Sequence, residues 1–165
     1  MAVIAPDHTG WSSSAEPEFF WYLSQPVSAG PEFTVLEDEA VDPIVESRLP
    51  PPSAAGFQRV NLKTFGKKLE PGKEYRWFVT LVSDKASRSK DVVASGRVAF
   101  VPLSPELSAK VGRLSRSERT AELARSGYWY DVISDLEASG ASKANVGLYE
   151  SAGLHEVARY LKAAP

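Results

Sequence analysis

The chain has 165 residues, with 19 lysine and arginine side chains, 21 aspartate and glutamate side chains and a formal net charge of −2. This balance, without a long basic stripe, excludes the positive surface with which proteins hold a nucleic-acid backbone. The absence of cysteine excludes thiolate metal sites and cysteine nucleophiles. The longest apolar runs, such as 19–23 and 98–103, are far shorter than the roughly 20 residues of a membrane-spanning helix. We therefore predict no membrane span.

Seven short β-type runs separated by turn residues occupy the first hundred residues. Most of the prolines and glycines in this part of the chain fall between the runs, where they favour turns. The predicted strands are 2–5, 18–23, 32–37, 43–47, 57–62, 74–82 and 92–101. Seven strands in about 100 residues are typical of a β-sandwich. We predict a sandwich domain over residues 1–102.

Residues 69–77 indicate the type of sandwich. Leu69, Pro71, Gly72 and Tyr75 have the spacing of the corner through which fibronectin type III and immunoglobulin-like folds connect opposite sheets. Pro71 and Gly72 suit the turn, and the Tyr75 hydroxyl is expected to hydrogen-bond to backbone a few residues upstream. The predicted fold class is therefore α+β, with a seven-stranded antiparallel sandwich of this type as its β part.

Helical spacing begins after residue 102. Leu107, Val111 and Leu114 repeat at helical intervals. Ser117 is predicted to cap a helix that ends at Gly127, and further helices are expected before Gly140 and after Gly153. We predict a small bundle of three to four helices over residues 103–165. Residues 117–139 within it look like one tetratricopeptide-type helical hairpin.

An aromatic patch is predicted on the outer surface of the sandwich. If Phe19, Trp21 and Leu23 point into the core, strand alternation places Phe20 and Tyr22 on the opposite face. An exposed aromatic pair makes an apolar patch that something should cover. In one hypothesis the C-terminal helices cover it through Tyr128, Trp129 and Tyr130. In the other, Phe20, Tyr22 and Phe78 stay open as a docking surface.

Several sequence blocks resemble a known family. The blocks are Ala5-Pro6-Asp7-His8-Thr9-Gly10, Phe20-Trp21-Tyr22-Leu23-Ser24, Tyr75-Arg76-Trp77, Arg88-Ser89-Lys90-Asp91-Val92-Val93-Ala94-Ser95-Gly96 and Ser126-Gly127-Tyr128-Trp129-Tyr130-Asp131. In these blocks the chain resembles the bacterial domain of unknown function 928 family, found particularly in cyanobacteria. The resemblance implies an exported protein whose N-terminal signal has been removed, and hence a periplasmic or extracytoplasmic location. It implies no activity.

The residues that could carry chemistry are few. Asp7 and His8 precede Ser12, Ser13 and Ser14, a set from which a hydrolase would need a base and a nucleophile. Adjacent residues in one short loop rarely converge on a single substrate atom, so we predict no catalytic residue. The acidic run 37–39 suggests a calcium site, but a solvated loop fits it better. We predict no metal site and no cofactor.

The leading functional hypothesis is a non-enzymatic module that binds another protein, with a cell-envelope component as a candidate partner. The predicted contact residues are Trp11, Tyr22, Arg76, Phe78, Arg88, Lys90 and Asp91. The last three belong to the loop 83–91, which joins two predicted strands and is expected to adjust specificity. One alternative is a carbohydrate-binding module that stacks sugars on Trp11 and Tyr22. The second alternative is a hydrolase.

Overall fold

The computed structural model describes residues 1–82 and 88–163. Eight strands form a three-stranded sheet in the order β1-β3-β6 and a five-stranded sheet in the order β2-β8-β7-β4-β5. The strands are β1 (Ala2–Val3), β2 (Gly10–Ser12), β3 (Glu18–Leu23), β4 (Glu32–Glu37), β5 (Val45–Arg48), β6 (Gly56–Asn61), β7 (Glu74–Leu81) and β8 (Val92–Phe100).

The prediction of seven antiparallel strands needs one correction. All seven predicted strands are present, but β2 is an additional strand, and it pairs in parallel with β8. The sequence assigned part of β2 to a turn, because three residues are too few to show strand alternation. The other pairings within the two sheets are antiparallel. The chain is α+β, with sheets of three and five strands.

Five α-helices follow the strands, one more than the largest number predicted. They are α1 (Pro105–Val111), α2 (Arg116–Arg125), α3 (Trp129–Ser139), α4 (Val146–Ser151) and α5 (His155–Ala163). The predicted cap at Ser117 is wrong, because Ser115 caps α2. Its hydroxyl accepts the Glu118 N–H, and the Glu118 carboxylate accepts the Ser115 N–H at 3.0 Å. This reciprocal pair is available only to a serine three residues before a glutamate.

The two sheets face each other across an aromatic core. Phe19 of β3 lies 5.0 Å from Trp77 of β7 and 5.4 Å from Phe33 of β4, measured between ring centroids. The hydrogen bond predicted for Tyr75 is also present. The N–H of Glu70 donates to the Tyr75 hydroxyl at 3.1 Å, which confirms that Tyr75 ties the corner to backbone upstream.

The first turn of α3 fastens the helices to the sheets through three consecutive side chains. Trp77 Nε1–H donates to the Tyr130 hydroxyl at 2.7 Å, and that hydroxyl donates to the carbonyl of Arg97 at 2.8 Å. Trp129 Nε1–H donates to the carbonyl of Ile4 at 3.0 Å. Asp131 accepts a hydrogen bond from the backbone of Ser13. Because these bonds reach both β2–β8 and the end of β1, they fix where the helices start.

The helices cover the outer face of the three-stranded sheet. Phe20 and Tyr22 pack there with Ile133 of α3, Tyr149 of α4 and Val157 of α5. The prediction that helices cover this aromatic patch is confirmed, but other side chains make most of the cover. Of the aromatics proposed for it, Tyr130 enters the core between the sheets, and the Tyr128 ring centroid lies 5.8 Å from that of Trp11.

Candidate functional site

The outer face of the five-stranded sheet is the candidate site, and we call it the open face. Strand alternation and the pairing register define which side chains point outward from it. Its apolar members Phe78, Leu36 and Val93 belong to none of the three apolar clusters formed by the described residues. The side chains of the open face are Trp11, Glu32, Thr34, Leu36, Glu46, Arg48, Glu74, Arg76, Phe78, Thr80, Val93, Ser95, Arg97 and Ala99.

Phe78 lies at the centre of the open face. It is on β7, the middle strand of the sheet, and its cross-strand neighbours are Thr34 on β4 and Ser95 on β8. Leu36 lies diagonally on one side and Val93 diagonally on the other, and Val93 is 58% exposed. The face therefore has a small apolar centre that the described helices leave uncovered.

Ion pairs surround this centre and hold its charged side chains in place. Arg76 Nε lies 2.9 Å from the Asp38 carboxylate. Arg88 donates to both carboxylate oxygens of Glu32, at 3.2 and 2.7 Å. These hydrogen bonds from the Arg88 guanidinium lower the pKa of the Glu32 carboxyl below its ordinary value. Arg88 also pairs with Asp91 at 2.8 Å, so the start of β8 is tied to β4.

The open face collects most of the predicted contact residues. Arg76 and Phe78 lie on it, Trp11 is at its β2 edge with 42% exposure, and Arg88 and Asp91 stand at one end. Lys90 is exposed in a short 3-10 turn beside them. Of the predicted loop 83–91, residues 83–87 lie outside the described residues.

Tyr22 is the exception among the predicted contact residues. It belongs to the three-stranded sheet, is 6% exposed, and its ring centroid lies 4.7 Å from that of Tyr160 in α5. The expectation that Tyr22 stands on an open surface is therefore wrong. The burial that excludes water from the ring also raises the pKa of the Tyr22 hydroxyl.

Most residues of the open face were not selected as contact residues from the sequence, and among them are Leu36, Glu46, Val93 and Arg97. Leu36 and Val93 occupy alternate positions in predicted strands, so alternation alone could have placed them beside Phe78. Glu46 and Arg97 could not be found in this way. Their relevance depends on which other charges are already paired, and only the structure shows that pairing.

A polar cleft of about 420 Å³ lies between the β2–β3 connection and helices α1 to α3. Asp131 accepts the Ser13 N–H at 2.8 Å and also accepts the Ser13 hydroxyl. Burial raises the pKa of Asp131, and the bonds from Ser13 act in the opposite direction. Arg119 donates three hydrogen bonds to Asp135, one from Nε at 3.2 Å and two from Nη2 at 2.5 and 2.7 Å. These polar groups pair with one another across the cleft, as expected of a joint between the sheets and the helices.

The residues proposed for a hydrolase do not come together in the cleft. His8 Nδ1 lies 3.0 Å from Asp7, and both side chains are exposed. The hydroxyl of Ser13 bonds to Asp131, and the Ser12 hydroxyl accepts the Ser14 N–H at 3.1 Å. Within 1–82 and 88–163, no group of three or more histidine, aspartate or glutamate side chains is placed to hold a metal ion.

Two facing sheets, with helices packed on the smaller one, define an α+β protein. The chain belongs to the family described as Domain of Unknown Function (DUF928), which matches residues 1–159. None of the curated proteins compared with the chain matches it. Among the described residues, no helix has the length and apolar character needed to cross a membrane.

Proposed function

We propose that the protein is a non-enzymatic interaction module that docks a partner protein on the open face. The observation that carries this proposal is the difference between the two outer faces. Helices bury Phe20 and Tyr22 on the three-stranded sheet, whereas Phe78 and Val93 on the five-stranded sheet lack such a cover among the described residues. An apolar centre within a charged rim has the composition of a protein-binding surface.

The side chains of the open face suit this role energetically. Aromatic and arginine side chains dominate the binding energy of protein interfaces, and the face offers Phe78 beside Arg76. The ion pair of Arg76 with Asp38 and that of Arg88 with Glu32 hold both guanidinium groups before a partner arrives. Such pre-organisation lowers the entropy lost when side chains are immobilised by binding.

We also propose that the two facing sheets are a fibronectin type III or immunoglobulin-like sandwich. The Tyr75 corner and the aromatic contacts of Phe19 across the core support this assignment. The family resemblance supports a periplasmic or other extracytoplasmic location, with a cell-envelope protein as the partner class.

Photo-crosslinking in the native cell tests the docking proposal. A photoreactive amino acid at Thr34, beside Phe78 on the open face, should capture a protein, and Phe78→Glu should abolish the capture. The matched control is Val41→Glu, which makes the same kind of change at a residue of the β4–β5 connection that is 92% exposed. Equal capture in the two variants would contradict docking at the open face.

A carbohydrate-binding module remains the second candidate, because Trp11 presents a partly exposed ring at the β2 edge. Tyr22, the other ring proposed for stacking, is buried under α5. A soluble oligosaccharide that binds the wild type but not Trp11→Ala would support this candidate. A flat titration of the wild type against a panel of oligosaccharides would exclude it for those sugars.

A further inference from the structure

We infer that the partner of the open face is a second copy of this chain, related by a two-fold axis, with Glu46 of each copy paired to Arg97 of the other. This inference rests on the proposed function, because it names the occupant of the same surface. It is drawn from the charges that remain unpaired on the open face and from where the sheet places them.

Three charged side chains on the open face, Glu46, Glu74 and Arg97, form no ion pair among residues 1–82 and 88–163. Two of them, Glu46 and Arg97, also make no side-chain hydrogen bond there, and these two have opposite signs. Glu32, Arg48 and Arg76 all have ion-pair partners within the chain. Glu74 accepts the Thr9 hydroxyl at 2.8 Å. Glu46 and Arg97 are exposed and take part in none of the salt bridges. The face thus presents one free anion and one free cation.

The position of Arg97 adds to its need for a carboxylate. Arg97 is the direct cross-strand neighbour of Arg76, and like charges in this position repel each other. Asp38 neutralises Arg76. Glu74 is the diagonal neighbour of Arg97 across β7 and β8, but it accepts the Thr9 hydroxyl and forms no ion pair with Arg97. A carboxylate supplied from outside the chain would relieve that repulsion.

The sheet places the two free charges on opposite sides of Phe78. Glu46 is on β5 and Arg97 is on β8, and β7 and β4 lie between these strands. A two-fold axis lying between the facing copies, parallel to the strands and near β7 and β4, brings β5 of one copy over β8 of the other. The register places Glu46 level with Ser95, two residues along the strand from Arg97. This offset of about 7 Å is within reach of the two long side chains. The same rotation makes both Glu46–Arg97 contacts at once, as an isologous interface requires. It also packs Phe78 of each copy against the β7–β4 region of the other, in the aligned arrangement common for stacked sheets.

The size of the face sets the expected affinity. Five strands about 4.8 Å apart and about 20 Å long give a face on the order of 400 Å². Stable complexes bury about 800 Å² on each partner, so we expect a reversible dimer rather than an obligate one. The dissociation constant should therefore lie in the micromolar range or above, which analytical ultracentrifugation can measure.

Charge reversal tests the dimer. Sedimentation equilibrium of the wild type at about 10 µM to 1 mM should show a monomer–dimer equilibrium, and Glu46→Arg or Arg97→Glu should each weaken it more than tenfold, since each variant creates two like-charge contacts. An equimolar mixture of the two variants should restore dimerisation, because both contacts in the mixed dimer are then attractive. Arg113→Glu, at an exposed position outside the open face, should leave the dimer unchanged.

The outcomes separate this inference from the proposed function. A wild type that stays monomeric throughout, or a mixture that fails to regain the dimer, overturns the inference of a second copy. If the crosslink at Thr34 then still captures a different protein and still depends on Phe78, docking on the open face survives without the dimer. If neither the dimer nor the capture is observed, the proposed function fails as well. Circular dichroism establishes that each variant is folded before its dimerisation or crosslinking is interpreted.

Discussion

The outer faces of the two sheets carry similar side chains but have different surroundings. On β3, Phe20 and Tyr22 point away from the core and are buried by helices, being 2% and 6% exposed. On β7, Phe78 also points away from the core, yet it packs into none of the apolar clusters of the described residues. Strand composition alone therefore does not decide whether an outward aromatic becomes part of a core. The position of the covering element decides it.

That position is set by the start of α3. The anchor joins Trp129 to Ile4 at the end of β1, Tyr130 to Arg97 on β8, and Asp131 to Ser13 just after β2. From this anchor, Ile133 and the following helices lie over the three-stranded sheet. The five-stranded sheet meets the anchor at its β2–β8 margin and, from the core side, at Trp77 of β7. The described helices therefore leave the rest of its outer face open. The difference between the faces follows from these three contacts.

The largest expected effect compares one phenylalanine on each face. Phe20→Ala should lower the free energy of unfolding by about 3–5 kcal/mol, because it leaves a cavity under the helices. Phe78→Ala should cost no more than about 1 kcal/mol, because its side chain is only partly buried. Guanidinium unfolding of both variants measures the two losses. A Phe78→Ala loss as large as that of Phe20→Ala would show that the open face is covered after all.

The anchor itself gives the second prediction. Tyr130→Phe removes the hydroxyl that accepts from Trp77 and donates to Arg97. The buried Trp77 N–H loses its acceptor, so we expect a loss of about 2 kcal/mol. Tyr128→Phe is the matched control, since its hydroxyl makes only a 3.4 Å contact with the Pro102 carbonyl. Urea unfolding should separate the two variants, and equal losses would mean that the anchor does not hold the helices as described.

Much of this fold could be predicted from local pattern. Alternation located seven strands, and the spacing up to Tyr75 located a corner whose hydrogen bond is present. The strand β2 was missed because three residues are too few to show the alternation of apolar and polar side chains that marks a strand. The helix α4 is six residues long and contains Gly147, which weakens its helical signal. Elements this short are held by tertiary contacts, and those contacts cannot be read from the local sequence.

The candidate site was only partly predictable for a related reason. Alternation correctly placed Tyr22 and Phe78 on outer faces, but it could not show that Tyr22 has a helix above it. The bond between Trp77 and Tyr130, which helps to set that helix position, joins residues 53 apart in sequence. Aromatic side chains near residue 130 indicated a packing role. The hydrogen-bond partners of these aromatic side chains are distant in sequence, so the sequence could not identify them.

The third prediction uses acid titration, because carboxyl groups on the two sides of the molecule shift in opposite directions. The pKa of Asp131, at the joint with the helices, is raised by burial above its ordinary 3.8, whereas Arg88 lowers that of Glu32 on the open face. For Asp131 the folded state binds the proton more tightly. Its contribution to stability is therefore fully present below pH 3.8 and is lost as pH rises through the folded pKa. Glu32 contributes stability above its ordinary pKa, and this is lost as pH falls through its lowered value.

Asp131→Asn removes one of these two opposing contributions. It should cost about 1 kcal/mol at neutral pH, because an amide can accept only one of the two bonds from Ser13. From pH 3.8 upward its stability should rise with pH more steeply than that of the wild type, because the variant lacks the contribution that Asp131 loses over this range. Urea midpoints across that range measure the slope. Parallel stability profiles of the variant and the wild type would refute the raised pKa of Asp131. Ser13→Ala removes the hydroxyl hydrogen bond, which lowers this pKa, so in that variant the stability due to Asp131 should be lost at a higher pH.

The smallest expected effect is on the rim of the open face. Arg88→Ala removes the pairs with Glu32 and Asp91. The Arg88 side chain is 55% exposed, so solvent screens both pairs, and the loss should stay at about 1 kcal/mol and shrink in 1 M salt. Arg88→Lys keeps the charge but loses the bidentate hydrogen bonding to Glu32. Its stability should therefore lie between that of Arg88→Ala and that of the wild type. A loss above about 2 kcal/mol that persists in salt would mean that this rim supports the fold. The smaller loss would instead mean that the open face can be altered without unfolding the protein, so that binding defects in its variants report on recognition itself.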